Sequence, residues 1–168
     1  VEVGDENQPR FHIAIATTKN LERLESCAEK GPEIGGSETK LLLCQHSERK
    51  EVRIDRIEKI LLSACKQSLK YTLPRLNPTM KLGEFVSGVS ADSRKYIAYL
   101  DERKIHLKDA YSGAFDMAVM IGPEGDFTKE EVVLAEKHEF EVVSLGKSRL
   151  RLETAGIYVA TLFNLANE

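Results

Sequence analysis

The segment that most constrains the fold runs from Ile121 to Ala155, where two glycine-containing loops enclose a helix and a short strand. The first loop is Gly122-Pro123-Glu124-Gly125. Thr128 and Glu131 then form a capping-box pattern, which predicts that a helix starts directly after this loop. The apolar stretch 142–145 follows as a strand. This order predicts neighbouring parallel strands whose loops leave one edge of the sheet, where open α/β sheets bind ligands.

The two loops also have the composition of a ligand site. Gly122 and Gly125 have no Cβ that would hold a ligand away from the main chain, and Pro123 between them stiffens the turn. The second loop, residues 145–150, offers apolar walls and further main-chain polar groups. One alternative stays open at this point: the glycines could serve only as strand-to-helix turns.

The rest of the chain alternates between strand-like and helix-like segments. Residues 40–44 and 117–121 are continuous apolar runs, typical of strands that are covered on both faces. The predicted strands are 11–16, 40–44, 96–100, 117–121 and 142–145. The first predicted helix starts at Leu21 and is stopped by Gly31, Pro32, Gly35 and Gly36. The other predicted helices are 54–68, 79–86, 128–138 and 153–167. We therefore predict an α/β fold, a parallel sheet with helices on both faces.

The composition is that of one globular domain. The chain has 168 residues, of which 42% are hydrophobic and 30% charged, and this length supports a full core. Residues 1–10 are polar and are predicted to be a linker or the remnant of a preceding domain, and residues 11–168 form the ligand-binding domain. Because no apolar run approaches the roughly 20 residues of a membrane span, we expect no membrane association and a cytoplasmic protein.

The cysteines indicate neither a metal site nor a disulfide framework. The three cysteines, Cys27, Cys44 and Cys65, are widely spaced and are expected to be buried thiols, and no metal is expected.

The net charge is -3, but the stretch from Arg49 to Arg75 holds eight basic and three acidic residues. Such a stretch could bind the phosphates of a nucleic acid, or it could be an ordinary solvated helix face.

Several motifs in order resemble one known family. The Gly-Pro-Glu-Gly loop, Ser144-Leu145-Gly146 and the segment from Leu150 to Ala155 resemble the RsmE-type ribosomal RNA methyltransferases, which are SPOUT-class enzymes with a trefoil knot. Three earlier segments agree with this resemblance: Lys30 to Gly35, Cys44 to Arg49 and Ala64 to Ser68. The resemblance covers about residues 19–165. Two positions depart from the family pattern, because Asp126 stands where a second glycine is usual and Leu152 where threonine is usual.

The resemblance implies a function and a cofactor. It implies methyl transfer from S-adenosyl-L-methionine to N3 of a uridine in 16S ribosomal RNA, by a homodimer that binds ribosomal RNA or the small ribosomal subunit. It also implies a C-terminal trefoil knot, and it implies that residues 1–10 are a linker or the remnant of a missing N-terminal PUA-like domain. Two alternatives remain, a different RNA target such as tRNA and a non-catalytic module that binds the cofactor or RNA. The implied cofactor-binding residues are Ile121, Gly122, Pro123, Glu124, Gly125, Leu145, Gly146, Leu150, Arg151 and Thr154.

Four side chains are candidates for the chemistry. Arg151 could hold the anionic uracil or a phosphate through its planar fork, and Glu153 could orient Arg151 or the cofactor amine. Glu33 and Arg49 are weaker candidates that rest on the order of the family motifs. The alternative for Arg151 and Glu153 is a structural ion pair. No residue is identified as the general base.

Overall fold

The computed structural model describes residues 8–34, 38–47, 51–69, 75–102 and 105–168. Its strands form one six-stranded sheet in the order β3-β2-β1-β5-β4-β6, and every pairing is parallel. The elements are β1 Phe11–Ala16, α1 Leu21–Ile34, β2 Glu38–Leu43, α2 Ile54–Gln67, β3 Arg75–Lys81, α3 Leu82–Gly88, β4 Arg94–Ala98, α4 Leu107–Ala110, β5 Met117–Ile121, α5 Lys129–Lys137, β6 Glu141–Val143 and α6 Leu152–Asn167.

The sheet is covered by helices on both faces, as predicted. Side chains alternate across a strand, so Ile13 and Ile15 of β1 join the core beneath α1, α2 and α6. Ala14 and Ala16 face the other way and join the core beneath α3 and α5. All five residues of β5 are buried. Central strands buried on both sides account for the continuous apolar runs in the sequence.

Two helix starts are capped by hydrogen-bonded side chains, and the first of them was predicted. The Thr128 hydroxyl accepts a hydrogen bond from Glu131 N at 3.1 Å, and the Glu131 carboxylate accepts one from Thr128 N at 2.9 Å. This capping box starts α5 at Lys129. At α1 the Asn20 side chain accepts from Glu22 N at 3.0 Å. Both helices therefore begin directly beyond the carboxyl edge of the sheet.

The predicted helix 79–86 is wrong over its first turn. Thr79 belongs to β3, and α3 begins only at Leu82. The strand was missed because it lies at the sheet edge and pairs only with β2, so most of its residues are exposed or half-buried and show no apolar alternation. It also contains Pro78, which an edge strand tolerates because the missing N–H faces no partner strand.

The predicted end of the first helix is also wrong. Helix α1 continues through Gly31 and Pro32 to Ile34, while Gly35 and Gly36 lie outside the described residues. A glycine inside a helix costs about 1 kcal/mol relative to alanine. Ala28 is in the core and Ile34 packs against it, and this burial outweighs the local preference of the glycine.

The third correction concerns the strands that carry the two glycine-containing loops. Strands β5 and β6 are not neighbours, because β4 lies between them and pairs with both. Both loops still leave the carboxyl edge, since all strands are parallel. The residues after β4 consequently lie between the loops. The trefoil knot and the boundary between residues 1–10 and 11–168 stay predictions. In the described part of the chain, no helix is long and apolar enough to cross a membrane.

Candidate functional site

A cavity of about 340 Å³ opens at the carboxyl edge of β5, β4 and β6. Its volume is at the lower end of the range for small-molecule sites, roughly 300–1,000 Å³. The segments after these three strands form its walls, together with the start of α6 and one side chain of α1, Arg23. The structure therefore brings together loops that are distant in sequence, at the edge where the strand order predicts a site.

Most of the predicted cofactor residues line this cavity. Eight of the ten do so: Ile121, Gly122, Pro123, Glu124, Leu145, Gly146, Leu150 and Arg151. The other two lie elsewhere. Gly125 packs against His46, whose Cβ would lie 3.1 Å from a Cβ added at Gly125. Thr154 is exposed and lines a separate groove on the outer side of α6, beside Tyr158 and Leu165.

The loop of Gly122 to Asp126 is held in shape by its own and neighbouring polar groups. Nδ1 of His46 lies 3.1 Å from Gly125 O and 3.0 Å from Asp126 O. Since carbonyl oxygens only accept, Nδ1 carries the hydrogen of this bond. Asp126 has φ of 62°, a left-handed conformation that aspartate tolerates better than most residues. Asp126 thus adopts a backbone conformation that glycine also adopts readily.

Asp126 places a carboxyl group in the cavity wall. Its Oδ1 accepts from Phe127 N at 2.8 Å. Burial raises the pKa of Asp126, and main-chain N–H groups of Phe127 and Leu100, with the nearby Arg149 and His46, partly offset this rise. Leu152, the second departure from the family pattern, is 6% exposed and adds apolar surface to the same cavity.

Glu124 is held by hydrogen bonds to its side chain and to its main chain. One carboxylate oxygen, Oε1, accepts from Thr18 Oγ1 at 2.6 Å and from Arg23 Nη1 at 2.9 Å. The carbonyl oxygen of Glu124 accepts from Arg149 Nη2 at 2.8 Å. Arg149 lies in the second loop, so this bond ties the two loops together across the cavity.

Arg151 and Glu153 occupy different environments. Arg151 is exposed at the N-cap of α6 and lines the cavity. No carboxylate of the described residues forms an ion pair with it, so Arg151 and Glu153 are not paired with each other. The Glu153 carboxylate lies beside Arg23 instead, with Oε2 4.0 Å from Nε. This oxygen is buried and has no hydrogen-bond partner among the described residues.

The two weaker catalytic candidates are not part of the cavity as described. Glu33 lies in the last turn of α1, about 18 Å along the helix from Leu21 at about 1.5 Å per residue. Its carboxylate is 3.5 Å from Lys30 Nζ. Arg49 lies outside the described residues.

The cavity residues that the sequence analysis did not assign to the site include Arg23, Tyr99, Leu100 and Arg149. Tyr99 and Leu100 follow β4, which was not expected between the two loops. Arg23 lies in the first turn of α1, directly after the β1 turn at the same edge. Tyr99 and Leu100 were predicted to lie inside the strand 96–100, but β4 ends at Ala98, so both residues belong to the edge of the sheet.

The three thiols are shielded from solvent to different degrees, and two arginines of the predicted basic stretch are paired with carboxylates. Cys44 and Cys65 are buried and Cys27 is half-buried, and burial raises the pKa of Cys27 and Cys44 to about 12. Among the described residues, no three His, Cys, Asp or Glu side chains are grouped to hold a metal ion. In α2 and its N-cap, the basic groups of Arg53 and Arg56 lie 3.0 Å and 2.7 Å from carboxylates.

Comparisons with known proteins find a matching family and several relatives. Residues 5–164 match the RNA methyltransferase domain family. The ribosomal RNA small subunit methyltransferase E of Mesomycoplasma hyopneumoniae is 28% identical, over 95% of this chain and 72% of its own length.

Two solved structures share the fold. A probable rRNA-methyltransferase from Porphyromonas gingivalis has a TM-score of 0.90 and 37% identity, over 97% of this chain and 70% of that chain. A ribosomal RNA small subunit methyltransferase E from Neisseria gonorrhoeae, bound to S-adenosyl methionine, has a TM-score of 0.87 and 25% identity, over 99% of this chain and 70% of that chain. This chain therefore spans about 70% of the length of each of these relatives.

Proposed function

The chain belongs to the RNA methyltransferase domain family, and from this premise we propose that it transfers a methyl group from S-adenosyl-L-methionine to N3 of a uridine in small-subunit (16S) ribosomal RNA. One observation carries the proposal. Eight of the ten residues that the family motifs assign to cofactor binding line a single cavity at the carboxyl edge of a parallel sheet. The relatives described above are ribosomal RNA methyltransferases by name, and one of them is bound to this cofactor.

The residues of the cavity fit the cofactor. Ile121, Leu145, Leu150 and Leu152 give apolar walls for an adenine ring, and the main chain around Gly122 and Gly146 gives donors and acceptors for its edges. Glu124 adds a carboxylate for the hydroxyl or ammonium groups. When bound, the cofactor supplies a methyl group that is already activated by its sulfonium. The protein has to hold both partners in line and to stabilise the charge of the accepting base.

Arg151 is the residue that best suits the second task. It lines the cavity, it is exposed, and no carboxylate of the described residues is paired with it. An arginine in this state keeps its full charge and its planar fork available for an anionic uracil or a phosphate. We assign Arg151 to the acceptor side of the reaction and the two loops to the cofactor side.

The assembly and the location are parts of the same proposal. Helix α6 has an outer groove of about 570 Å³ that includes Tyr158 and Leu165, which are 37% and 67% exposed. Such a surface suits contact with a second copy of the chain, so we propose a homodimer. An enzyme that acts on ribosomal RNA works where ribosomes are made, and we therefore propose a cytoplasmic location.

Two experiments test the proposed function. Calorimetry with S-adenosyl-L-methionine should show binding, and a chain that folds but does not bind this cofactor would contradict the proposal. Mass spectrometry of ribosomal RNA should show one methylated uridine that is lost when the gene is deleted and restored by the full-length gene. If tRNA lost a methyl group instead, the alternative RNA target would be correct. Cofactor binding without any change in RNA would favour the non-catalytic module.

A further inference from the structure

The carboxylate of Glu124 is held at one oxygen only. Oε1 accepts two hydrogen bonds, from Thr18 Oγ1 at 2.6 Å and from Arg23 Nη1 at 2.9 Å. Among the described residues, Oε2 has no such partner. Glu124 lines the cavity and its side chain is 45% exposed. Its carboxylate is thus fixed by one oxygen, with the other left for a ligand.

Thr18 is positioned to hold this carboxylate. It is 1% exposed and follows β1 at the carboxyl edge. Its hydroxyl oxygen accepts from Asn20 N at 3.3 Å, so the hydroxyl hydrogen is directed to Glu124. Buried polar groups are retained only where they are hydrogen-bonded. The hydroxyl of Thr18 therefore has its orientation set from both sides.

Arg23 is also held from two sides. Its guanidinium contacts Glu124 and lies 4.0 Å from the carboxylate of Glu153 at the start of α6. With a carboxylate on each side, its positive charge is already compensated. Arg23 is therefore less suited to bind an anionic substrate than to keep Glu124 in one position.

We propose that Thr18 and Arg23 are positioning residues for the cofactor: they fix Glu124 so that its free oxygen accepts a hydrogen bond from a ribose hydroxyl or from the ammonium group of S-adenosyl-L-methionine. This inference rests on the proposed function and adds two residues from β1 and α1 to it. Fixing the carboxylate before binding lowers the entropy lost when the cofactor binds. The effect should appear in cofactor affinity and in the KM for the cofactor, with little change in kcat.

The first test compares two substitutions of Thr18 by calorimetry with S-adenosyl-L-methionine. Thr18→Val keeps the shape and removes the hydroxyl, and it should weaken binding by about fivefold or more. Thr18→Ser keeps the hydroxyl and should stay within about twofold of the wild type. Equal affinities for the wild type and Thr18→Val would overturn the inference, whereas a wild type that binds no cofactor would overturn the proposed function itself.

Arg23 gives a second test, which does not depend on the hydroxyl of Thr18. Arg23→Met should weaken cofactor binding by about tenfold, because hydrogen bonds to charged groups are stronger than neutral ones. The matched control is Arg56→Met, which removes a comparable arginine–glutamate contact, 2.7 Å from Glu25, on the outer surface of α1 and α2. The control should leave cofactor affinity unchanged. A similar loss in both variants would indicate a general effect of destabilisation and would contradict the positioning role.

A double-mutant cycle separates positioning from a structural role. In a Glu124→Ala background, Thr18→Val should change cofactor affinity by less than about twofold. A penalty as large as in the wild-type background would overturn the inference, because Thr18 would then act without Glu124. Repeating the cycle with 5′-methylthioadenosine, which lacks the ammonium group, identifies the donor. A coupling that persists assigns Glu124 to the ribose, and one that disappears assigns it to the ammonium group.

Discussion

Arg151 stands at the N-cap of α6 with its side chain exposed and without an ion pair among the described residues. A residue in this state contributes little to folding. We expect Arg151→Ala to lower the single-turnover rate by about a hundredfold or more, to leave cofactor affinity within a few-fold, and to leave Tm unchanged.

The conservative substitution Arg151→Lys distinguishes a role of the side-chain geometry from a role of the charge alone. Arg151→Lys keeps the positive charge but loses the planar fork, so a bidentate contact predicts little recovery of the rate. Substantial recovery would indicate a simple field effect. A near-normal rate in Arg151→Ala, or a fall in Tm that accompanies the loss, would remove Arg151 from the reaction.

Asp126 links stability to pH. Its pKa is raised in the folded chain by burial, so the folded state holds this proton more tightly than the unfolded state. Its contribution to stability is complete below the unfolded pKa, about 3.8, and is lost as pH rises through the folded pKa.

Asp126→Asn tests this linkage. Asparagine tolerates the same left-handed backbone, and its side-chain oxygen can still accept from Phe127 N. The stability of the variant relative to the wild type should therefore increase as pH rises from about 4 to 7, measured by urea unfolding at each pH. A difference that is constant over this range would contradict the role of burial.

At the scale of elements, helices α1 and α6 pack closely against each other at Gly156. A Cβ at this position would lie 2.6 Å from Cys27 Sγ. Alanine normally gains about 1 kcal/mol over glycine in a helix, but overpacking costs about 1–3 kcal/mol. We expect Gly156→Ala to destabilise the wild type and to stabilise a Cys27→Ala background. Denaturant unfolding of the four variants measures this change of sign, and a gain in both backgrounds would show that Cys27 moves aside freely.

Helix α2 carries the predicted basic surface, but only some of its basic side chains are without a carboxylate partner among the described residues. Arg53 and Arg56 are paired with carboxylates, whereas Lys59 and Lys66 are exposed and form no ion pair within the described part of the chain. Lys59→Glu with Lys66→Glu should weaken binding to small-subunit RNA and reduce the salt dependence of that binding. The control is Lys129→Glu with Lys137→Glu on α5. Equal losses in both pairs would show that net charge matters and that this surface does not.

The elements also show how far sequence patterns reach. Strands β1 and β5 and the start of α5 were predicted closely, because continuous apolar runs and a capping box are local features. Strand β3 was missed because an edge strand buries too little to show alternation. The neighbours of β5 depend on long-range pairing with β4, which leaves no local pattern. The two glycine-containing loops of the cavity could be predicted because their motifs are local. Tyr99, Leu100 and Arg23 could not, because their place in the cavity depends on long-range pairing.

At the scale of the whole molecule, the outer surface of α6 determines the predicted assembly. The large exposed apolar side chains on this helix are Tyr158 and Leu165, and both line the outer groove with Thr154. The cofactor cavity lies at the start of the same helix, so a second copy packed on this surface would approach the mouth of the cavity. Assembly and activity should therefore depend on each other.

Leu165→Glu tests this dependence. A charge in the middle of an apolar contact costs several kcal/mol unless it is paired, so the variant should shift the protein from dimer to monomer. The control is Val133→Glu, which places the same charge at an apolar residue of α5 that is 49% exposed on the opposite side of the sheet. Sedimentation equilibrium should show a monomer for the first variant and a dimer for the second, with activity lost only in the first. A wild-type protein that stays monomeric at micromolar concentration while it methylates RNA would contradict the dimer.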